Sequence, residues 1–198
     1  MTNSTDNIFC FIKFIEREFA DTFLNGQVYF NMPSSFNDLP EKERGDENEG
    51  AEWIDNTEIV TVKTEHPTIG SIEFKVVPNS VSKMIQYNYQ YLSFSLYAVT
   101  SSLFDKDNSH KIDSRMSEFG DSAIIIEEPY IFLNSIISEL KNKNLDYEIK
   151  PIIYRDITKG RVDLIPFDKK LDHQHQFEFR IIIKNTDNVA KNIRNWFN

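Results

Sequence analysis

Two short stretches hold residues whose types and spacing suit chemistry on a sugar or nucleotide. Ser93-Phe94-Ser95 and Gln176-Phe177-Glu178 each carry two polar side chains two positions apart, which on a strand share one face. If the two strands lie in one sheet, hydroxyls, an amide and a carboxylate line a single cleft. Glu178 would there accept bonds from ribose hydroxyls and stabilise an oxocarbenium-like centre. The plain alternative is the solvated face of an antiparallel strand, with Arg180 pairing to Glu178 or a neighbouring carboxylate. His173 and His175 would share a side of an extended chain, but no third ligand has suitable spacing, so no metal is expected. Seven acidic residues fall between Glu41 and Asp55 without the spacing of a calcium loop. They read as a long, mobile, solvated loop over about 37–55.

The elements that must position these residues follow from periodicity. Gln176 to Lys184 reads as the strand around which the rest is built, with Phe177, Phe179, Ile181 and Ile183 on a core face. Tyr87 to Val99 alternates in the same way, with Leu92, Phe94 and Leu96 on one side. Ile8 to Phe14 is a first strand, and Gln27 to Asn31 a second. Between them Glu16 to Asn25 is helical, with Phe19, Ala20, Phe23 and Leu24 in one stripe and a stop at Gly26. Asn56 to Lys63 and Ser71 to Val77 flank a turn at His66–Gly70. Ser122 to Ile126 is a buried strand, and Glu128 to Asn142 a helix with Pro129 in its first turn. Tyr147 to Tyr154 is a further strand and Val189 to Phe197 a closing amphipathic helix. No repeat or composition break divides the chain. A single α+β domain spanning residues 1–198 is expected, with a strongly twisted, mainly antiparallel sheet and about three helices.

Composition narrows the function classes. Among 198 residues, 40% are hydrophobic and 27% charged, with 16 Phe and 8 Tyr, ordinary for a domain with an aromatic core. There is no run long enough to span a bilayer, so no membrane association is expected. Met1 to Asn7 lacks the basic-then-apolar pattern of a secretory leader, and the single Cys10 fits a reducing, cytoplasmic setting. A net charge of −9 argues against direct nucleic-acid binding and suits a basic protein partner. Phosphate-binding glycine loops, nucleophile elbows and H-E-x-x-H are absent.

The ordered Ser-x-Ser and Gln-x-Glu pair resembles the corresponding motifs of ADP-ribosyltransferases, in which a first-strand Arg or His also helps to hold NAD. That resemblance implies an ADP-ribosyltransferase-like fold with NAD as cofactor. Glu178 would be the catalytic carboxylate, Gln176 would orient the acceptor, and Ser93 and Ser95 would brace the cleft. Lys13 stands where the Arg or His is expected and would contact a phosphate. Most of the chain is also similar to a bacterial and phage family of unknown function. That likeness runs through Lys13-Phe14, Asn25 to Phe30, Phe36-Asn37-Asp38 with Glu41, Ser93 to Ser95, Arg115 to Asp121, Ile152 to Asp156 and Gln176 to Arg180. It implies a phage or mobile-element effector acting on a host protein. Two function classes therefore stand: an NAD-dependent transferase, and a non-enzymatic acidic host-defence inhibitor that occupies a basic partner.

Overall fold

The computed structural model describes residues 7–37, 39, 43–56, 61–75, 83–88, 91–104 and 109–184. The helix expected at Val189–Phe197, and Asp38 and Glu41 of the Phe-Asn-Asp segment, lie outside them. The first half of the chain gives β1 (Ile8–Ile15), α1 (Arg17–Leu24), α2 (Ser34–Asn37), β2 (Ala51–Asn56), β3 (Thr61–His66), β4 (Gly70–Lys75) and β5 (Met84–Tyr87). The second gives β6 (Tyr91–Thr100), β7 (Ser122–Ile126), α3 (Pro129–Asn142), β8 (Tyr147–Pro151), β9 (Ile153–Arg155), β10 (Gly160–Asp163), β11 (Asp168–Lys170) and β12 (Glu178–Lys184). It is a mixed α/β fold whose sheets are mostly antiparallel.

The main sheet has five strands in the order β7-β1-β6-β12-β8, all antiparallel neighbours. Its first face carries the principal core. Phe11, Leu92, Phe94, Leu96, Phe179, Ile181 and Ile183 meet Leu133, Ile136 and Leu140 of α3, whose three- and four-residue spacing makes one helix face. α1 reaches this core through Phe23, which stacks on Phe94, while Phe19 and Leu24 of the expected stripe stay exposed. Eight residues make little more than two turns, so one anchor suffices to seat the helix. Gln27 to Asn31 buries Val28 and Phe30 but forms only a single bridge, Asn31 to Ser93, rather than a strand.

The second face of the sheet is not open to water. Tyr91 and Ile182 pack with Ile152 and Phe167, while Ile12, Tyr97 and Val99 pack with Met116. The cover comes from the 3₁₀ turn Ser114–Phe119 and from residues flanking the parallel pair β9–β11, while a three-stranded sheet, β10-β2-β5, has a small apolar cluster of its own. Every residue of β12 except Lys184 is consequently buried. A strand flanked on both edges and covered on both faces has no solvated side, so its polar residues must find partners within the protein.

The segment expected as a mobile acidic loop also differs. Its described part includes β2 and buries Asp46, Asn48 and Glu49. The charge run contributes structure because Glu49 pairs with the buried Arg180 of β12.

One irregularity positions the site. The β1–β6 ladder ends at Ile12–Tyr97, whereas β1 continues against β7 as far as Ile15–Ser122. Farther along β6, Ser93 bridges to Asn31 instead. The two central strands thus part at the level of Ser95.

Candidate functional site

The three strands that carry Lys13, Ser93/Ser95 and Glu178 are consecutive neighbours: β1, β6 and β12. Register places Ser95 opposite Arg180 and Tyr97 opposite Glu178. Same-face diagonal neighbours across a sheet lie within reach of polar side chains, and Ser95 Oγ donates to Glu178 Oε1 at 2.5 Å. Ser93 sits one pleat farther along the same face, opposite Ile182, and is buried. Lys13 Nζ occupies the parting of the strands and donates to the Ser95 carbonyl at 2.9 Å, lying over the Phe94 ring.

Gln176 does not belong to the strand. Residues Leu171–Gln176 form a 3₁₀ turn, and Phe177 closes it in the left-handed conformation, φ 38°. That reversal turns Phe177 away from the core face, where strand alternation would put it, and against Tyr97 and His110. Gln176 nevertheless reaches the same place. Lys169 Nζ bridges Gln176 Oε1 at 2.7 Å and Glu178 Oε2 at 3.1 Å.

Around Glu178 the polar groups form a closed network. Arg180 Nε donates to Glu178 Oε1 at 2.8 Å, matching the expected pairing. The two terminal nitrogens of Arg180 grip Glu49 in a fork, at 2.7 and 3.0 Å, the bidentate geometry a guanidinium favours. Arg180 Nη1 also donates to the Pro166 carbonyl, and the Tyr91 hydroxyl donates to Glu49. The Glu178 amide donates to the Tyr154 hydroxyl. Glu178 is 7%, Arg180 3%, Glu49 5% and Lys169 8% exposed, so two cations and two carboxylates neutralise each other out of water.

The two carboxyls are driven apart by their surroundings. Burial alone would raise Glu178, but the Arg180 and Lys169 cations and bonds from Arg180 and Ser95 hold it well below the usual range. For Glu49 burial wins over the pull of Arg180, with Asp46 and Glu178 adding repulsion, and its carboxyl is pushed up. Burial also lowers Lys13 to about 8, against the pull of Glu178. The site thus holds one firmly ionised carboxylate beside one reluctant one.

The histidines sit beside this network. His175 Nε2 lies 2.8 Å from Glu43 Oε2 and His173 Nδ1 4.0 Å from the same atom. Both belong to the 3₁₀ turn, not to an extended pair. Burial lowers His173 to about 4, helped by Lys169. Among the described residues no three His, Cys, Asp or Glu side chains gather as metal ligands. His110 is half-buried, with its Nε2 2.6 Å from the Tyr97 hydroxyl.

Sequence reasoning placed Glu178, Ser95 and Gln176 together and missed Lys169, Glu49, Tyr91 and Tyr154. Lys169 stands in an ordinary Lys-Lys pair and Glu49 in a charge run, so nothing local marks either as buried. A cavity of about 330 Å³ adjoins the network. Its wall includes Tyr91, Gly50 beside Glu49, and Pro166, whose carbonyl takes the Arg180 bond, while neither Glu178 nor Ser95 lines it. No helix among the described residues is long and apolar enough to cross a membrane. Compared with known protein families, curated proteins and solved structures, the chain matches none.

Proposed function

We propose that this protein is an ADP-ribosyltransferase-like, NAD- or nucleotide-binding protein, a phage or mobile-element effector acting on a host protein. What supports the reading most is the Ser95–Glu178 contact at 2.5 Å between neighbouring strands, with Lys13 beside it where β1 and β6 part. In this role Glu178 is the ionised carboxylate that stabilises positive charge developing at the ribose as its bond to nicotinamide breaks. Ser95 and Ser93 brace the strand, Lys13 contacts a phosphate and Gln176 orients the acceptor. A ribose hydroxyl must take over one partner of Glu178. Lys169 is the natural one to yield, because Gln176 Oε1 already holds its ammonium. Calorimetry with NAD tests the reading: wild type gives a saturable heat and Glu178→Gln releases no nicotinamide. Absence of NAD binding by wild type across pH and salt overturns it.

A second reading is favoured by the completeness of the network, in which Glu178 already has three partners. The protein is then a non-enzymatic inhibitor whose acidic surface occupies a basic partner, with the buried charges bracing the fold. Exposed Glu47 and Glu52 lie on that surface. Reversing both to Lys abolishes recovery of the partner under this reading. Recovery unchanged by reversal counts against it.

A further inference from the structure

The Glu49 carboxylate occupies its place as a ligand would. Three donors converge on it: Arg180 Nη1 at 2.7 Å, Arg180 Nη2 at 3.0 Å and the Tyr91 hydroxyl at 3.1 Å. The guanidinium does not depend on Glu49 for its orientation. Glu178 holds Nε and the Pro166 carbonyl holds Nη1 from other directions, so the fork would keep its aim with Glu49 gone. A buried, pre-oriented arginine fork with a hydroxyl beside it suits carboxylate and phosphate oxygens alike.

The segment that delivers Glu49 is held through polar side chains and backbone. Glu43 to Gly50 contains no apolar side chain. Its attachments include the Arg180 fork, Gln176 to the Glu43 carbonyl, His175 to the Glu43 carboxylate, Tyr87 to the Glu47 carbonyl and Asn37 to three carbonyls. Ion pairs of Glu43 with Arg115, Arg44 with Glu16 and Glu47 with Lys83, and backbone bonds from Glu43 to Glu118, Asp46 to Phe36 and Asn88 to Gly50, add to them. Lifting it removes no apolar side chain of its own from the core, and each polar group released into water recovers a bond there. Burial also makes Glu49 the less firmly charged of the two carboxyls beside Arg180. The cavity of about 330 Å³ begins at Tyr91 and Pro166, which bond Glu49 and Arg180, and at Gly50 next to Glu49; Arg180 and Glu49 themselves lie behind this wall. Its volume is at the lower end of small-molecule sites.

We infer that Arg180 and Tyr91 form an oxyanion-binding seat for a small phosphorylated or carboxylated ligand whose remainder fills the adjoining cavity, and that Glu49 occupies this seat as a built-in competitor carried on residues 43–50. This goes beyond the transferase reading and stands whether or not Glu178 does chemistry.

Thermal melts of full-length Glu49→Ala test it, in pyrophosphate, acetate and chloride at matched ionic strength and pH. Pyrophosphate at ten times its dissociation constant raises the midpoint of the variant by about 4 °C over chloride. Wild type shifts far less, because Glu49 competes, and adding Tyr91→Phe weakens the response of the variant. A response to acetate instead identifies a carboxylate ligand, and one to pyrophosphate a phosphate. Should Glu49→Ala not fold in chloride, recovery of its far-ultraviolet dichroism by oxyanion is the same readout. Glu49→Gln, which keeps the volume and the Tyr91 bond, repeats the comparison. A midpoint that is the same in pyrophosphate, acetate and chloride for each of the two variants overturns the inference, whatever the outcome with NAD.

Discussion

Replacing Glu178 with Gln probes the network at its centre. The carboxylate accepts from Ser95, from Arg180 at 2.8 Å and from Lys169 at 3.1 Å. A glutamine offers one acceptor oxygen and one N–H₂ group, so whichever way the amide turns, one of the two cations faces a donor. The lost charge-assisted bond is worth about 1.5–3 kcal/mol. Stranding a buried charge brings the total to about 3–5 kcal/mol, against a domain stability of about 5–15 kcal/mol. Lys169→Met removes the cation instead, and the double variant removes both. Its loss should fall short of the sum of the single losses by about 2 kcal/mol. Urea melts at pH 7 of wild type, both singles and the double supply the cycle. The linkage sign is fixed by the depressed carboxyl: the stabilisation is complete above its ordinary value of 4.5 and is lost as pH falls below that. The gap between wild type and Glu178→Gln therefore stays level from about pH 8 to about pH 5 and narrows in acid. A Glu178→Gln loss under about 1 kcal/mol, or singles that add to within about 0.5 kcal/mol, refutes a buried, mutually dependent network.

Two further outcomes follow from other parts of the fold. Lys13 titrates near 8 in the folded protein and at the ordinary 10.5 when unfolded, so between those values the unfolded chain binds more protons and stability rises with pH. Wild type should gain on Lys13→Met over that window and keep a constant difference below it; a difference flat to pH 10.5 places the ammonium in water. Gly120 has φ 148°, and a Cβ there would strike the Ile15 carbonyl and lie 2.6 Å from the Glu16 amide at the end of β1. Gly120→Ala should cost about 3 kcal/mol or more in a denaturant melt; a cost under about 1 kcal/mol shows that β1 and the turn at Gly120 can separate.

Where an element's own pattern sufficed, the sequence was legible. Ser122–Ile126 and the helix to Asn142 appear with nearly the expected bounds, because an apolar run and a Pro in the first turn are local signals. The strand expected as buried, however, lies at the sheet edge with none of its residues buried and Ile125 exposed. The core face of β12 came from alternation alone, save at Phe177, where the left-handed residue reverses the chain. Alternation cannot register such a reversal, since it assumes that the strand continues. Gln27 to Asn31 has strand composition without a strand, because β6 offers its edge there only at Ser93. β-propensity reports a fit to a half-buried surface rather than the presence of a partner.

The sequence by itself determined the central strands, which of their faces is apolar, and that Ser95 and Glu178 could share the other one. These rest on a two-residue period that every strand obeys. Only the tertiary structure decided what that polar face meets. Glu49 reaches Arg180 across 131 positions of chain, and Lys169 arrives from a short strand whose own pattern says nothing of burial. A charge is identical in sequence whether water or a guanidinium surrounds it. What separates the two cases is the free energy of desolvation offset by a partner, and the fold alone supplies that partner.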